Sequence, residues 1–195
     1  MFKRIVFVAL LAASGSAMAA KDLSNIPLEW TPTQSFAEFG AIDLSGIGNT
    51  KVQFKEFTDV RKNPSLIAEN TEKQPVRQVT TKDNVAAFVT DHVKDSFSKA
   101  GINVVDNGGD FVVSGEIRDF FVHESDQYVG NVTVYVTLTN ASGKVVWQGI
   151  AGGGANNFGR SYKADNYYET LSNAVLKLSN SMLNSSGFHS ALQSH

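Results

Sequence analysis

Apolar and polar residues alternate without a break from Val132 to Thr139. Val132, Val134, Val136 and Leu138 share one side, opposite Thr133, Tyr135, Thr137 and Thr139. That period of two marks a half-buried strand. Residues 51–57 (KVQFKEF) repeat it, with Val52, Phe54 and Glu56 on one side and Gln53, Lys55 and Phe57 on the other. Residues 110–123 carry Val113, Gly115 and Ile117 on one face, and residues 102–105 form a short strand. The tetrapeptide Asn140-Ala141-Ser142-Gly143 predicts a turn, and residues 144–151, with Trp147, return as its hairpin partner. A period near 3.6 takes over elsewhere. Val85, Phe88, Val89, His92, Val93 and Phe97 predict a helix over residues 80–100, with Thr80 and Asp83 as a capping box and Gly101 as its stop. A second helix is expected to open at Asp165 or Asn166, with Tyr168, Leu171, Val175, Leu178 and Met182 on its buried side.

The order strand, helix, strand, strand, hairpin strands, helix predicts an α+β domain: a mainly antiparallel sheet with two helices packed on one face. It spans residues 51–184. Ahead of it, residues 20–50 read as an extended leader with an edge strand, punctuated by Pro27, Pro32, Gly40, Gly46 and Gly48. Residues 58–79 read as a long surface loop, and Gly152 to Ser161 as a glycine- and asparagine-rich loop. From residue 185 the composition turns to Ser, Asn, His and Gln, which predicts a flexible tail over 185–195. With 42% apolar and 18% charged residues among 195, one sizeable core is expected and disorder of the whole chain is not.

Residues 1–19 have the three parts of a secretory signal. Lys3 and Arg4 give the basic start, residues 5–13 (IVFVALLAA) the apolar run, and Ala17-Met18-Ala19 the small-x-small cleavage pattern. The apolar run is too short to span a bilayer, so stable membrane insertion is not expected. The bacterial periplasm is the expected location, with full secretion second. The formal charge of −2 argues against a nucleic-acid partner. With no cysteine there is no disulfide, thiolate metal site, cysteine nucleophile or lipid-acceptor thiol.

The candidate chemistry is sparse. His92 lies on the apolar stripe of the first helix and is expected to be a buried, hydrogen-bonded histidine. His123 beside Glu124 and Asp126 would bring imidazole and carboxylates together only at a strand end, short of a closed ligand set. Gly152-Gly153-Gly154 lacks the lysine and helix of a phosphate loop, and its glycines are expected to let a strand bend or approach a neighbouring backbone. Ser161 in Gly159-Arg160-Ser161-Tyr162 is no nucleophile elbow. No catalytic residue, cofactor or metal is therefore assigned.

An ordered series of segments resembles the YajG-type family of bacterial envelope lipoproteins. It runs through Asp59, Arg61 and Asn63, then Asn84-Val85-Ala86-Ala87-Phe88 to Gly101, Val113 to Ile117 and Val134 to Thr139. It closes with Gly143 to Gly149, Gly159 to Tyr162 and Asn166 to Ser172. The resemblance covers residues 50–183. It implies an α+β envelope domain with no established catalytic residues, and more distantly an accessory role beside transporters, cell-wall synthases or secretion pores. The chain departs from the lipoprotein pattern because no cysteine follows Ala19, so the mature protein is expected to be untethered. The expected function is a soluble periplasmic accessory or binding protein that contacts an envelope protein partner, as a monomer or homo-oligomer. Asp59, Arg61, Asn63, Arg160, Tyr162 and Tyr167 are the expected contact residues. A small-molecule or glycan-binding module is the alternative, and a hydrolase using His123 with Glu124 or Asp126 is the third.

Overall fold

The computed structural model describes residues 22–194 except Ala41 and Lys73; the predicted signal segment lies outside the described residues. The elements, in chain order, are β1 (Lys51–Phe54), β2 (Thr58–Asp59), β3 (Leu66–Asn70), β4 (Arg77–Thr80), α1 (Val85–Lys99), β5 (Asn103–Val105), β6 (Phe111–Glu124), β7 (Gln127–Asn140), β8 (Val145–Phe158), α2 (Ala164–Leu183) and α3 (Ser186–Gln193).

The α+β class holds, with three helices and a mixed sheet of eight strands. Strands β6, β7 and β8 form an antiparallel meander of 14-residue strands. Along the other side of β6 the short strands β1, β2 and β3 pair parallel to it in succession; β5 adds parallel to β1 and β4 antiparallel to β3. The alternation read from β7 is the observed one: Tyr128, Val132, Val134, Val136 and Leu138 are fully buried. On β6 the register shifts between Ile117 and Asp119. This bulge inserts one residue and inverts the phase, so Val113 and Ile117 point inward before it and Phe120, Val122 and Glu124 after it.

Several connections differ from the sequence expectation. The predicted loop over residues 58–79 contains β2, β3 and β4, with Ile67, Ala68 and Val79 buried. Its prolines sit in the short turns between strands rather than in one long excursion. The predicted loop after residue 151 is the second half of β8. As expected of the glycines, Gly153 permits a close approach: a Cβ there would collide with the Ala174 carbonyl and Leu178 amide of α2. Helix α1 begins at Val85, because the Asn84 side chain caps it by accepting from Ala87 N at 3.1 Å. Thr80 instead ends β4, and Asp83 accepts from Leu28 N at 2.7 Å. Beyond α1, Gly101 takes the left-handed φ of 99°. Helix α2 starts earlier than Asp165, with Lys163 at the cap position.

The leader carries a 3-10 turn (Phe36–Phe39) and a single bridge from Ile26 to Thr81 rather than an edge strand. It lies on α2, where Ser172 Oγ accepts from Thr31 N at 3.0 Å and Asn173 Oδ1 from Thr33 N and Gln34 N. The predicted tail is helix α3. Ser185 caps it, and Phe188 packs on Phe97 and Trp147 at ring-centroid distances of 5.9 and 5.2 Å. One core cluster thus takes in Leu23 and Ile47 from the leader and Phe188 and Leu192 from α3.

Candidate functional site

The end of the sheet where β6 turns into β7 and β8 runs into α2 concentrates polar and aromatic groups. Glu124 is the last residue of β6 and has no exposed surface. Its Oε1 accepts from the Tyr162 backbone N at 3.0 Å and its Oε2 from the Tyr167 hydroxyl. Burial first, and then the hydrogen bond to Glu124, push the Tyr167 phenol far above its ordinary pKa, so it remains a donor throughout the physiological range. The Tyr128 ring stands edge-on to Tyr167 at 5.0 Å, and its hydroxyl accepts from Ser161 N at 3.2 Å. Asn166 Nδ2 donates to Ser161 Oγ at 2.7 Å. These bonds tie the segment between β8 and α2 to the sheet. Tyr162 adopts φ 44° there, a conformation few non-glycine residues take, held by its backbone bond to Glu124.

Beside this buried layer, Arg77 and Tyr162 are half-buried and Asn70 is fully buried. Arg77 of β4 stacks on the Tyr162 ring, its guanidinium carbon 3.9 Å from the centroid, and also donates to Asn70 Oδ1 at 3.2 Å. Arg77 Nε and Asn70 Nδ2 are buried without a partner. Phe158 closes β8 with 93% of its surface exposed, and Arg160 two residues on is exposed as well.

The predicted contact residues fall into two places. Arg160, Tyr162 and Tyr167 belong to this sheet end, but Tyr167 is fully buried and supports the surface instead of forming it. Asp59, Arg61 and Asn63 lie further back along β6. Arg61 forms a two-bond fork with Asp59 (2.9 and 2.7 Å) and donates to the carbonyls of Pro64, Leu66 and Phe120. That set of bonds folds the turn from β2 into β3 and ties it to β6. Asn63 is exposed and accepts from Ser65 Oγ. Successive side chains of β6 alternate between its faces, so His123 is exposed against Phe121 while Glu124 faces the core, and the two do not meet. His92 is half-buried and stacked on Trp30 rather than sunk in the core. Among the described residues, no group of three metal-ligating side chains converges, and no helix is long and apolar enough to cross a membrane. Asn70 and Arg77 escaped the sequence reading, and Glu124 entered it only as an acid beside His123. A phase shift within residues 110–124 was the signal that could have found Glu124. The grooves of the surface are open, including one lined by Phe36, Ala37, Ile42, Lys99 and Ala100.

No family model matches the sequence, and no curated protein matches it. Solved structures do resemble the fold. A Xanthomonas campestris protein assigned to family-model DUF330 aligns with a TM-score of 0.53 at 10% identity, over 72% of this chain and 85% of its own. An uncharacterized protein aligns at 0.50 and 10% identity, over 82% of this chain and 95% of its own. A candidate lipoprotein from Caulobacter crescentus aligns at 0.47 and 7% identity, over 66% and 92% respectively. At these identities the first two share the α+β fold with this chain, and it is the fold alone that they show.

Proposed function

We propose that the protein is a periplasmic accessory protein of the bacterial envelope, released from its signal after Ala19 and acting through protein–protein contact rather than catalysis. The YajG-type series of motifs supports the envelope setting, and the signal-like residues 1–19 support export. The observation that carries the contact role is the exposure of Phe158 and of Arg160 two residues on, just ahead of the segment whose Ser161 and Tyr162 amides bond to Tyr128 and Glu124. Aromatic and arginine side chains supply most of the energy of protein interfaces when a partner desolvates them. The matching surface is an apolar recess flanked by carboxylates.

In-cell crosslinking of the tagged protein, followed by mass spectrometry, tests this. The wild type is expected to capture a reproducible envelope protein, and Phe158→Ala or Arg160→Ala to reduce that capture at least about tenfold, the scale of an interface hot spot. Both variants keep the wild-type melting temperature, since neither side chain is buried. Undiminished capture by both variants overturns the assignment of the surface, and the absence of any specific partner overturns the accessory role.

A further inference from the structure

We infer that Asn70 of β3 and Arg77 of β4 form a carboxylate-binding pair, with the Tyr162 side chain as its lid. The inference rests on the contact role proposed above and names the partner's group: the carboxylate of an aspartate or glutamate side chain.

Strand register makes the pair. Asn70 closes β3 and stands opposite Arg77 of β4, with Glu124 of β6 on its other side. Asn70 has no exposed surface. Its Oδ1 accepts from Arg77 Nη2 at 3.2 Å, which fixes the amide, because turning it over would set two donors face to face. Asn70 Nδ2 and Arg77 Nε are then both buried without a partner. Native structures leave few buried polar groups unpaired, and each calls for a cause. Both of these are donors, so the missing group is an acceptor. Glu124 does not supply it: its oxygens accept from the Tyr162 amide and the Tyr167 hydroxyl.

Charge narrows the acceptor. Among the described residues, no ion pair includes Arg77. A carboxylate has two coplanar oxygens, one for Arg77 Nε and one for Asn70 Nδ2, and charge-assisted bonds of this kind are the strong ones. A water brings no charge to meet the guanidinium. The Glu124 carboxylate beside Asn70 disfavours a doubly charged phosphate.

Tyr162 covers the pair. The Arg77 guanidinium carbon lies 3.9 Å from its ring centroid, so the ring face stands in for the missing anion. The ring is loosely latched, since its hydroxyl donates to the Gln78 carbonyl at 3.3 Å, beyond the usual O–H···O range. The backbone of Tyr162 is held separately, at φ 44°, by its amide bond to Glu124. Rotation about Cα–Cβ therefore uncovers Arg77 while the backbone stays in place. Residues kept in sparsely populated backbone conformations gather at ligand clamps and switch regions. Arg160, exposed two residues before Tyr162, adds a second positive charge to the same segment.

Titration of the 15N-labelled full chain with sodium acetate, against sodium chloride at equal ionic strength, tests this. The side-chain signals of Arg77 Nε–H and Asn70 Nδ2 are expected to shift together and to saturate with acetate only. Arg77→Lys keeps the charge but lacks the Nε–H; it identifies the Arg77 signal and should abolish saturation at Asn70. Tyr162→Gly removes the lid, suits the positive φ and keeps the amide that bonds to Glu124. Acetate should bind this variant at least about threefold more tightly, because no fraction of the site is closed. The absence of a saturable shift overturns the inference, as does phosphate saturating both signals at lower concentration than acetate, or an unchanged affinity in Tyr162→Gly. In the crosslinking experiment above, Arg77→Lys should lose the partner as Phe158→Ala does. Capture lost by Phe158→Ala but kept by Arg77→Lys overturns the inference and leaves the contact role standing. Saturable acetate binding by a wild type that captures no partner overturns the contact role and leaves the carboxylate site standing.

Discussion

Glu124 has no exposed surface, and its two carboxyl oxygens face two different donors, the Tyr167 hydroxyl and the Tyr162 amide. Among the described residues no ion pair includes it, so these two bonds replace the water it loses on folding. Removing one donor is costlier than the bond itself, because the acceptor stays buried. Tyr167→Phe is therefore expected to destabilise the fold by about 1–3 kcal/mol, the range for leaving a buried acceptor unsatisfied. Tyr128→Phe, whose hydroxyl faces the exposed Ser161, is expected to cost less, about 1 kcal/mol. Urea denaturation of the two variants checks the order. Equal losses would mean that Glu124 reaches solvent when Tyr167 is truncated. The same layer holds Tyr162 at φ 44°, so loss of the Tyr167 bond should also loosen the Phe158–Arg160 surface above it.

At the scale of elements, what was legible in the sequence had a strong local period. The alternation from Val132 to Thr139 and the helical stripe from Val85 to Phe97 both stand in the structure where they were read. The misreadings share a physical cause: in each, tertiary contact supplies what the local pattern lacks. Strand β3 has only Ile67 and Ala68 turned fully inward among its apolar residues, and the Arg61 fork closes the turn that feeds it. The second half of β8 is glycine and asparagine, poor strand formers, kept extended by pairing with β7 beneath the backbone of α2. The site was half legible for the same reason. Arg160 and Tyr162 were named as contact residues, whereas the burial of Glu124 depends on a bulge legible only as the phase shift from Val113 and Ile117 to Phe120 and Val122. Helix α3 is the sharpest case, since eight residues, half of them polar, depend on Phe188 and Leu192 for their place. Phe188→Ala is expected to cost about 3–5 kcal/mol, the range for truncating a fully buried phenylalanine. Thermal melting measures it directly. A change below 1 kcal/mol would restore the reading of residues 185–195 as a dispensable tail.

For the molecule as a whole, the leader matters because it closes the side of α2 turned away from the sheet. Besides its bonds to Ser172 and Asn173, it lays Trp30 flat on His92 of α1, with ring centroids 3.8 Å apart and an 8° angle between planes. Phe88 meets the same imidazole edge-on at 4.6 Å. Burial among these rings lowers the His92 pKa; the carboxylates of Asp91 and Asp95 oppose that shift and the ammonium of Lys99 reinforces it. Above about pH 6.5 the imidazole is neutral in both folded and unfolded chains and adds no pH dependence. Below it the unfolded chain takes up a proton that the folded chain resists, so stability falls with pH until the lowered folded pKa is passed. Urea midpoints are therefore expected to drop between pH 7.5 and about 5, and His92→Gln to flatten part of that slope. The difference between wild type and variant isolates His92 from the other histidines of the chain. Fluorescence of the two tryptophans should report the same transition, because Trp30 leaves the imidazole when the leader lifts. An unchanged slope in His92→Gln would show that the contact between leader and helix tolerates the proton, and that the pH response of the fold arises elsewhere.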